Sequence, residues 1–279
     1  MKWFFGFNEA ATRWFADMVE VAVATAGEQA PQLEPHCLYD GEADTDLTRW
    51  LRARGVTVHH AVAPFRERLS APDIVARNAA TPYDPVAARG YYLCLAIPGV
   101  DAARDEEYVL FTDCDVMFTG AVDTDGLRPA LLMAAPEMED VRRPAPGDRG
   151  RGFSSGVMLM HLPSMRALLP RIEAVLERDG YYRFPGADAT YDQGALNAAV
   201  AEGEWDRLPH TLNWRPAFGI NPQAAIVHWH GPKPRHVEKT VAIGIVSAPD
   251  EAMRWLLDAA PEAYRHYLQL FQEALRRAS

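Results

Sequence analysis

The sequence predicts an α/β protein with a single central sheet that is mostly parallel and flanked by helices. Short apolar runs alternate with longer segments of helical periodicity, which is the pattern of consecutive strand–helix–strand units. The apolar run at residues 108–112 stops directly at acidic residues, as a buried parallel strand does at the solvated edge of its sheet. The length of 279 residues allows one large α/β domain or two small ones.

The same pattern assigns the elements in chain order. Asn8 is the expected N-cap of a first helix that extends to Ala26, and Gly55 is the expected stop of the second helix. Further helices are predicted at residues 46–54, 84–95, 163–178 and 193–201, and the tail at residues 253–275 has apolar residues at helical spacing. Strands are predicted at residues 3–7, 35–39, 56–60, 108–112 and 226–229, and another follows the small-residue turn that begins at Phe153. Residues 131–135 form a further apolar run.

Composition and charge exclude several classes of protein. The net charge of −10 at pH 7 argues against nucleic-acid binding, which requires a clustered basic face. The three cysteines are scattered, so neither a disulfide framework nor a cysteine zinc site is expected, and a cytoplasmic location is the simplest interpretation. The apolar run at residues 1–7 is too short for a signal peptide or a membrane span. Membrane attachment through Arg276 and Arg277 is not expected, whereas contact of the tail with a partner helix, as in a homodimer, is left open.

Asp113 and Asp115 stand at the carboxyl end of the predicted strand at residues 108–112. In open α/β sheets, ligands bind in the crevice at that edge. Two carboxylates separated by one residue can both reach a divalent cation, and their hard oxygen atoms suit Mg²⁺ or Mn²⁺. A bare Asp-x-Asp is more often a strand-end turn with two solvated acids, so other segments must decide between these interpretations.

Three later segments accompany this pair of acids. Residues 153–160 form a small-residue turn before an apolar strand, and residues 191–197 begin a helix with an acid and an amide. Residues 227–234 place histidines at a strand end, before a Gly-Pro turn and a lysine. In this order, the segments resemble the retaining glycosyltransferases of the glycogenin and bacterial lipopolysaccharide galactosyltransferase type, over roughly residues 1–235. The resemblance implies the GT-A fold, a single nucleotide-diphosphate-binding α/β domain.

The resemblance also implies an activity and its cofactor. It implies transfer of a sugar from a nucleotide-diphosphate sugar, with a UDP-sugar favoured, to an unidentified sugar or glycoconjugate acceptor, with retention at the anomeric carbon. Mn²⁺ is favoured over Mg²⁺ as the metal, because imidazole is softer than carboxylate. We expect residues 1–240 to be the GT-A-like catalytic domain and residues 241–279 to be a C-terminal helical extension packed on it.

The family motifs imply roles for individual residues. The implied metal ligands are Asp113, Asp115 and His228. The implied donor contacts are Asn8 at the nucleoside, Lys233 at the phosphates, and Gly231, Asp113 and Ser155. Asp192 is expected to bind sugar hydroxyls. Gln193 is expected beside the anomeric carbon in an orienting or electrostatic role, since a neutral amide is a poor nucleophile and the transition state resembles an oxocarbenium ion.

The chain departs from the family pattern at several positions, which indicates a divergent member with a different donor or acceptor. Cys94 stands where the family usually has arginine, Ser154 where it has asparagine, Gly194 where it has a second aspartate, and Arg235 where it has tryptophan. Two alternatives stay open. One is a metal-dependent phosphohydrolase of the haloacid-dehalogenase type, which also places Asp-x-Asp after an apolar strand. The other is a catalytically inactive sugar-nucleotide-binding protein.

Residues 142–151 form a stretch rich in proline, glycine and arginine. A long loop in a compact domain is usually functional or disordered. A lid over the donor diphosphate and a solvated mobile loop are equally supported by this composition. Residues 208–214 resemble a family segment on the acceptor side.

Overall fold

The structure, a computed structural model, describes residues 1–137, 152–187, 189–243 and 251–278. The loop at residues 142–151, predicted as a lid or a solvated segment, lies outside the described residues. The strands are β1 (Lys2–Asn8), β2 (Glu34–Asp40), β3 (Thr57–His60), β4 (Tyr108–Thr112), β5 (Val116–Phe118), β6 (Leu132–Pro136), β7 (Phe153–His161), β8 (Trp205–Arg207) and β9 (Ile226–His228). The α-helices are α1 (Thr12–Gln29), α2 (Asp46–Ala53), α3 (Arg66–Leu69), α4 (Pro72–Arg77), α5 (Pro85–Tyr91), α6 (Leu162–Asp179), α7 (Tyr191–Ala199), α8 (Pro234–Ile243), α9 (Glu251–Ala259) and α10 (Pro261–Ala278).

Seven of these strands form one sheet in the order β3-β2-β1-β4-β7-β6-β8. β3, β2, β1 and β4 are parallel to one another, and β6 is parallel to β8. β7 lies between β4 and β6 and is antiparallel to both. The predicted α/β class with a mostly parallel central sheet is therefore confirmed. The other two strands, β5 and β9, pair antiparallel in a small separate sheet.

The two faces of the central sheet are buried by different helices. On β1, Trp3, Phe5 and Phe7 belong to one apolar cluster and Phe4 belongs to another, because alternate strand residues point to opposite faces. The cluster that contains Phe4 includes buried residues of α6 and α7, and the other includes buried residues of α1 and α2. Full burial of each large apolar side chain contributes about 1.5–3 kcal/mol. Burial therefore anchors β1 from both faces and holds its carboxyl end beside that of β4.

The first helix begins one turn later than predicted. The side-chain oxygen of Asn8 accepts the backbone N–H of Ala11 at 2.9 Å, so Asn8 caps a 3-10 turn at Glu9–Ala11 rather than the α-helix itself. The α-helical part then extends to Gln29, three residues beyond the predicted end.

The helix predicted at residues 84–95 has two parts. It is α-helical over Pro85–Tyr91 and continues as a 3-10 helix over Tyr92–Gly99. Pro98 has no backbone N–H to donate, and the residue before a proline is disfavoured in the α conformation. The tighter 3-10 turns therefore replace the α-helix as the chain approaches this proline.

The C-terminal helix α10 packs on the rest of the chain through one apolar face. Tyr264, Tyr267 and Phe271 are buried in a cluster with Trp229. Their helical spacing places them on one side of α10, and core contacts occupy that side. Among the described residues, no helix has both the length and the apolar character needed to cross a bilayer.

Candidate active site

Backbone pairing brings the end of β4 and the end of β9 together. β5, which follows Asp115 directly, pairs with β9, which ends at His228. The N–H of Trp229 donates to the carbonyl of Asp115 at 2.9 Å, and the N–H of Asp113 donates to the carbonyl of Gly156 at 2.8 Å. Side chains from three distant segments of the chain therefore meet at one edge of the central sheet.

Asp113, Asp115 and His228 form a cluster whose ligand atoms all lie within 4.8 Å of one another. His228 Nε2 is 3.8 Å from Asp113 Oδ2 and 3.5 Å from Asp115 Oδ1. Oδ1 of Asp115 is buried and accepts no hydrogen bond from the described part of the protein. Buried polar atoms normally have a partner, so this free acceptor beside an imidazole and a second carboxylate fits a divalent cation. The side chain of Asp113 is 44% exposed, so the cluster is open to solvent on one side.

His228 is held in one orientation by Asn213. Nδ1 of the imidazole lies 3.1 Å from Oδ1 of the Asn213 amide. Because an amide oxygen only accepts hydrogen bonds, Nδ1 carries the proton and Nε2 keeps its lone pair. Partners of this kind fix the ring and the tautomer of metal-binding histidines. Asn213 therefore prepares His228 to bind a cation through Nε2.

Gly156 leaves the space that the cluster needs. A Cβ atom at this position would lie 2.2 Å from Cε1 of His228 and 2.9 Å from Oδ2 of Asp113. Non-bonded atoms do not approach so closely, so any side chain here would displace the imidazole or the carboxylate. Gly156 lies within β7, where the sequence predicted a turn, and it therefore has a steric role at the cluster.

Lys233 reaches the cluster after a tight turn. Gly231 has a φ of +80°, a left-handed conformation that glycine adopts without a steric penalty. The Lys233 ammonium contacts Oδ2 of Asp115 and also donates to the carbonyl of Trp229 at 2.9 Å. Among the described residues, Lys233 is therefore the cationic partner of Asp115, and it faces the same opening.

The two carboxylates of the cluster have opposite pKa shifts. Burial opposes ionisation of Asp115, but the Lys233 ammonium outweighs burial and lowers the pKa of Asp115. Desolvation in the cleft, together with the neighbouring carboxylates of Asp115 and Asp192, raises the pKa of Asp113. One ammonium therefore supports only one ionised carboxylate, whereas a divalent cation would stabilise both as anions.

Asp192 comes to the same edge from the start of α7 and is 5% exposed. Burial raises the pKa of Asp192 to about 6, against hydrogen bonds from Ser155 and from the thiol of Cys94, whose sulfur lies 3.7 Å from Oδ2. The thiol of Cys94 brings no positive charge to stabilise the carboxylate, so burial keeps the pKa of Asp192 raised.

The backbone around Gly194 excludes the second aspartate of the family motif. A Cβ atom at Gly194 would lie 2.5 Å from the carbonyl oxygen of Ala189 and 2.6 Å from Cδ2 of Phe184. The carbonyl belongs to the backbone and cannot rotate away as a side chain can. Gly194 is therefore required by the local packing at the start of α7.

Gln193 is held between β6 and β7. Its Oε1 accepts the N–H of Ser155 at 3.1 Å, and its Nε2 donates to Oε2 of Glu137 at 2.6 Å. The other oxygen of Glu137 lies 3.4 Å from Nε2 of His230, and burial lowers the pKa of His230 to about 3. Glu137 was missed by the sequence analysis. It follows β6 directly, so the strand-end rule that selects Asp113 after β4 also applies to it.

A cavity of about 320 Å³ extends from the cluster to the end of β1. Its lining includes Phe7, Phe15, Tyr91, Asp113 and Lys233. Asn8 also lines it, but the side chain of Asn8 is engaged within the protein, because Oδ1 accepts from Ala11 and Nδ2 donates to the carbonyl of Val86 at 2.5 Å. Asn8 therefore shapes the wall of the cavity.

The chain is similar in fold to solved glycosyltransferase structures. LgtC galactosyltransferase, in complex with donor and acceptor sugar analogs, matches with a TM-score of 0.59 and 20% identity over 95% of this chain and 99% of that one. The WbbM bifunctional glycosyltransferase matches with a TM-score of 0.58 and 13% identity over 94% of this chain and 52% of that one. Mouse xyloside xylosyltransferase 1 matches with a TM-score of 0.54 and 18% identity over 82% of this chain and 98% of that one. The fold is that of the GT-A glycosyltransferases. No protein-family model and no curated protein matches the sequence.

The GT-A fold of this chain brings most of the predicted site residues together. Asp113, Asp115, His228 and Lys233 meet at one point, and Asp192 and Gln193 both contact Ser155 beside it. Asn8 lies apart from them at the end of β1, on the wall of the cavity. Gly231 contributes the left-handed turn that precedes Lys233.

Proposed function

We propose that the protein is a metal-dependent glycosyltransferase. It moves a sugar from a nucleotide-diphosphate sugar, with a UDP-sugar favoured, to a sugar or glycoconjugate acceptor, with retention at the anomeric carbon. The observation that supports this most strongly is the convergence of Asp113, Asp115 and His228 within 4.8 Å, at one end of a cavity in a GT-A fold. Retention and the UDP base rest on the sequence resemblance.

The donor set of the cluster suits Mn²⁺, with Mg²⁺ as the alternative, because two hard carboxylates are combined with one softer imidazole. A divalent cation held there would supply Lewis-acid chemistry that offsets the charge of the departing diphosphate. Asp113 and Asp115 would hold it through carboxylate oxygens, and His228 would hold it through Nε2. Lys233 contacts Asp115, so its ammonium is placed to donate charge-assisted hydrogen bonds to phosphate oxygens beside the metal.

The cavity is the proposed nucleoside site. Phe7, Phe15 and Tyr91 give it apolar walls, and nucleotide and cofactor sites are typically apolar with a few placed polar groups. Asn8 fixes the start of α1 through its bond to Ala11. Its role in the proposal is therefore to keep the cavity open rather than to bond the base through a free amide.

Asp192 and Gln193 are the proposed sugar-binding pair. Asp192 accepts hydrogen bonds from donor-sugar hydroxyls once it is ionised. Gln193 is held at both ends of its amide by Ser155 and Glu137, so its dipole is fixed before the reaction. A preorganised dipole near the anomeric carbon stabilises the positive charge that develops there, and no reorganisation cost is added in the transition state.

The C-terminal helices form part of the proposed architecture. We treat residues 1–240 as the catalytic domain and residues 241–279 as an extension packed on it. Tyr264 and Phe271 of α10 pack around Trp229, which lies next to His228. The extension would therefore support the strand that ends in a metal ligand.

One activity screen distinguishes the proposed glycosyltransferase from the phosphohydrolase and from the inactive binding protein. Sugar nucleotides are incubated with the protein in the presence of Mn²⁺ and in the presence of a chelator. Metal-dependent donor hydrolysis or transfer supports the proposal. Release of phosphate from simple phosphate esters, without use of sugar nucleotides, would identify the phosphohydrolase. Donor binding without turnover would identify the inactive binding protein, which the departures at Cys94, Ser154 and Gly194 support.

Asp115→Asn tests the metal site directly. Replacing the carboxylate with an amide removes the charge that a divalent cation requires, so calorimetry should show no Mn²⁺-dependent donor binding while the thermal stability stays near that of the wild type. Asp101→Asn is the matched control, because the Asp101 side chain forms an exposed ion pair with Arg104, away from the cluster. Unchanged metal-dependent binding in Asp115→Asn would exclude this assignment. His228→Ala should weaken binding less, since it removes a neutral ligand.

A further inference from the structure

The guanidinium of Arg215 is a buried cation with no hydrogen-bond partner among the described residues. Its side chain belongs to a residue that is 1% exposed, and none of its three guanidinium nitrogens has a partner in the described ranges of the chain. The guanidinium carbon lies 5.9 Å from the ring centroid of Phe218, which is a weak substitute for hydrogen bonding. Folded proteins pair nearly all buried polar groups, because each unpaired donor has lost its water without gaining a partner.

Tyr264, which lies close to Arg215, and Trp229, which lies close to Tyr264, also carry buried donors. Nε1 of Trp229 and the hydroxyl of Tyr264 are buried without hydrogen-bond partners among the described residues, and the two rings lie 6.4 Å apart. Arg215 is close enough to Tyr264 for its charge to favour ionisation of the phenol, although burial raises the pKa of Tyr264 overall. This corner of the protein, formed by Arg215, Trp229 and Tyr264, therefore holds a cation and two neutral hydrogen-bond donors. An anion is the group that would accept hydrogen bonds from all three.

The carboxylate of Glu137, which lies close to this corner, already contacts Gln193 and His230. Glu137 is close enough to Arg215 to oppose, through its charge, the effect of burial, which lowers the pKa of Arg215. The two oxygens of Glu137, however, face Nε2 of Gln193 and Nε2 of His230. A carboxylate that supports Gln193 is therefore not a hydrogen-bonded counterion for the guanidinium.

This corner lies close to the metal cluster but outside the cavity assigned to the nucleoside. Arg215, Glu137 and His230 are absent from the described lining of the cavity assigned to the nucleoside. His230 lies next to the metal cluster, with its ring 5.6 Å from that of His228. The side chains of His230 and Glu137 are 26% and 21% exposed, so both reach the solvent beside the buried guanidinium.

We propose that Arg215 binds an anionic group of the acceptor, either a carboxylate or a phosphate ester, that enters past His230 and Glu137. The planar guanidinium matches either oxyanion through two parallel hydrogen bonds, and Tyr264 and Trp229 supply the remaining donors. This inference rests on the proposed function, since it names the chemical class of the acceptor. An acceptor held by its anionic group would then present a hydroxyl to the sugar beside Gln193.

Thermal unfolding of the full chain tests the site without metal or donor. Inorganic phosphate and glucuronate are the probes, glucose is the neutral control, and sodium chloride keeps the ionic strength constant. At least one anion should raise the melting temperature, and glucose should not. Arg215→Met keeps a side chain of similar length without the charge and should weaken the apparent affinity by about tenfold to a hundredfold, the loss expected for charge-assisted hydrogen bonds.

Two control variants show whether the stabilisation by anions arises at Arg215. Arg128→Met removes an arginine that also lies over an aromatic ring, that of Tyr108, and it should respond to anions as the wild type does. Lys233→Ala separates phosphate bound at the donor site from phosphate at Arg215, and the Arg215-dependent response should persist in it. A response to glucuronate alone identifies a carboxylate acceptor, a response to phosphate alone identifies a phosphate ester, and a response to both shows a site that accepts either.

The inference is overturned if neither anion stabilises the wild type, or if Arg215→Met responds as the wild type does. Should Arg215→Met not fold, Arg215→Lys replaces it, because lysine keeps the charge and loses the planar fork. The same weakening is then expected, and an unchanged affinity again overturns the inference. The assay contains no donor, so loss of the anion response is independent of any failure of the sugar-transfer screen.

Discussion

His228 Nδ1 lies 3.1 Å from Oδ1 of Asn213, and this contact determines which nitrogen of the imidazole faces the two aspartates. Both residues are buried, so water does not compete for the bond. The ring is therefore presented to the metal cluster in one tautomer and one orientation.

Asn213→Ala should weaken Mn²⁺ binding by about tenfold to a hundredfold, the usual effect of removing the partner of a metal-binding histidine. The affinity is measured by calorimetry on the protein without donor. Asn221→Ala is the control, because Oδ1 of Asn221 accepts only a local N–H, from Gln223. Equal Mn²⁺ affinity in Asn213→Ala and the wild type would show that Asn213 does not prepare His228.

Gly156→Ala should abolish metal binding while the protein remains folded. The added methyl group would lie 2.2 Å from Cε1 of His228, so the imidazole must move away from the aspartates. Gly27→Ala is the matched control. Gly27 lies in α1 with open space around it, and alanine there should stabilise the protein by about 0.5–1 kcal/mol. Metal binding by Gly156→Ala at wild-type strength would contradict the steric argument.

Gln193→Ala should reduce kcat by roughly tenfold to a thousandfold, the scale of losing one preorganised electrostatic contact. The affinity for donor should change little, because the metal and Lys233 contacts remain, and an effect on kcat alone is the signature of a group that acts in the transition state. Rates are measured at saturating donor and acceptor. Gln272→Ala serves as the control, because the Gln272 side chain only donates a hydrogen bond to Glu238 at the surface, among the described residues. Normal turnover in Gln193→Ala would remove Gln193 from the mechanism.

The pH dependence of donor use should report Asp192, whose pKa is raised to about 6 by burial. Donor hydroxyls bind the ionised carboxylate, so kcat/KM for the donor should rise between about pH 5 and 7, and Asp192→Asn should flatten this rise. Stability should change in the opposite direction. Because the folded pKa exceeds the unfolded value, the contribution of Asp192 to stability is present at low pH and is lost as the pH rises through about 6.

Asp192→Ala provides a second check on the same residue. Loss of the sugar contacts should raise KM for the donor, whereas the Gln193 substitution acts on kcat. Steady-state kinetics of the two variants, measured side by side, separate these roles. An Asp192→Asn profile with the wild-type pH dependence would assign the titration to another group.

Local pattern explains why much of the fold could be predicted. β1 and β4 are apolar runs bounded by polar residues, and that signal depends only on neighbours in the chain. The strands β5 and β8 were missed because a three-residue strand gives only a weak local signal, although β9, which is equally short, was predicted. The reversed direction of β7 was also beyond prediction, because hydropathy shows that a strand is buried and not which way it runs.

The sequence by itself determined the acids at the end of β4, the glycine turn before Lys233 and the order of motifs that resembles the retaining glycosyltransferases. Only the tertiary structure decided that Asn213 holds His228, that Glu137 holds Gln193 and that the Arg215 guanidinium is buried without a hydrogen-bond partner in the described part of the chain. The physical reason is that hydrogen bonding and desolvation depend on groups close in space. Glu137 and Gln193 are 56 residues apart in the chain, and no local pattern encodes their contact.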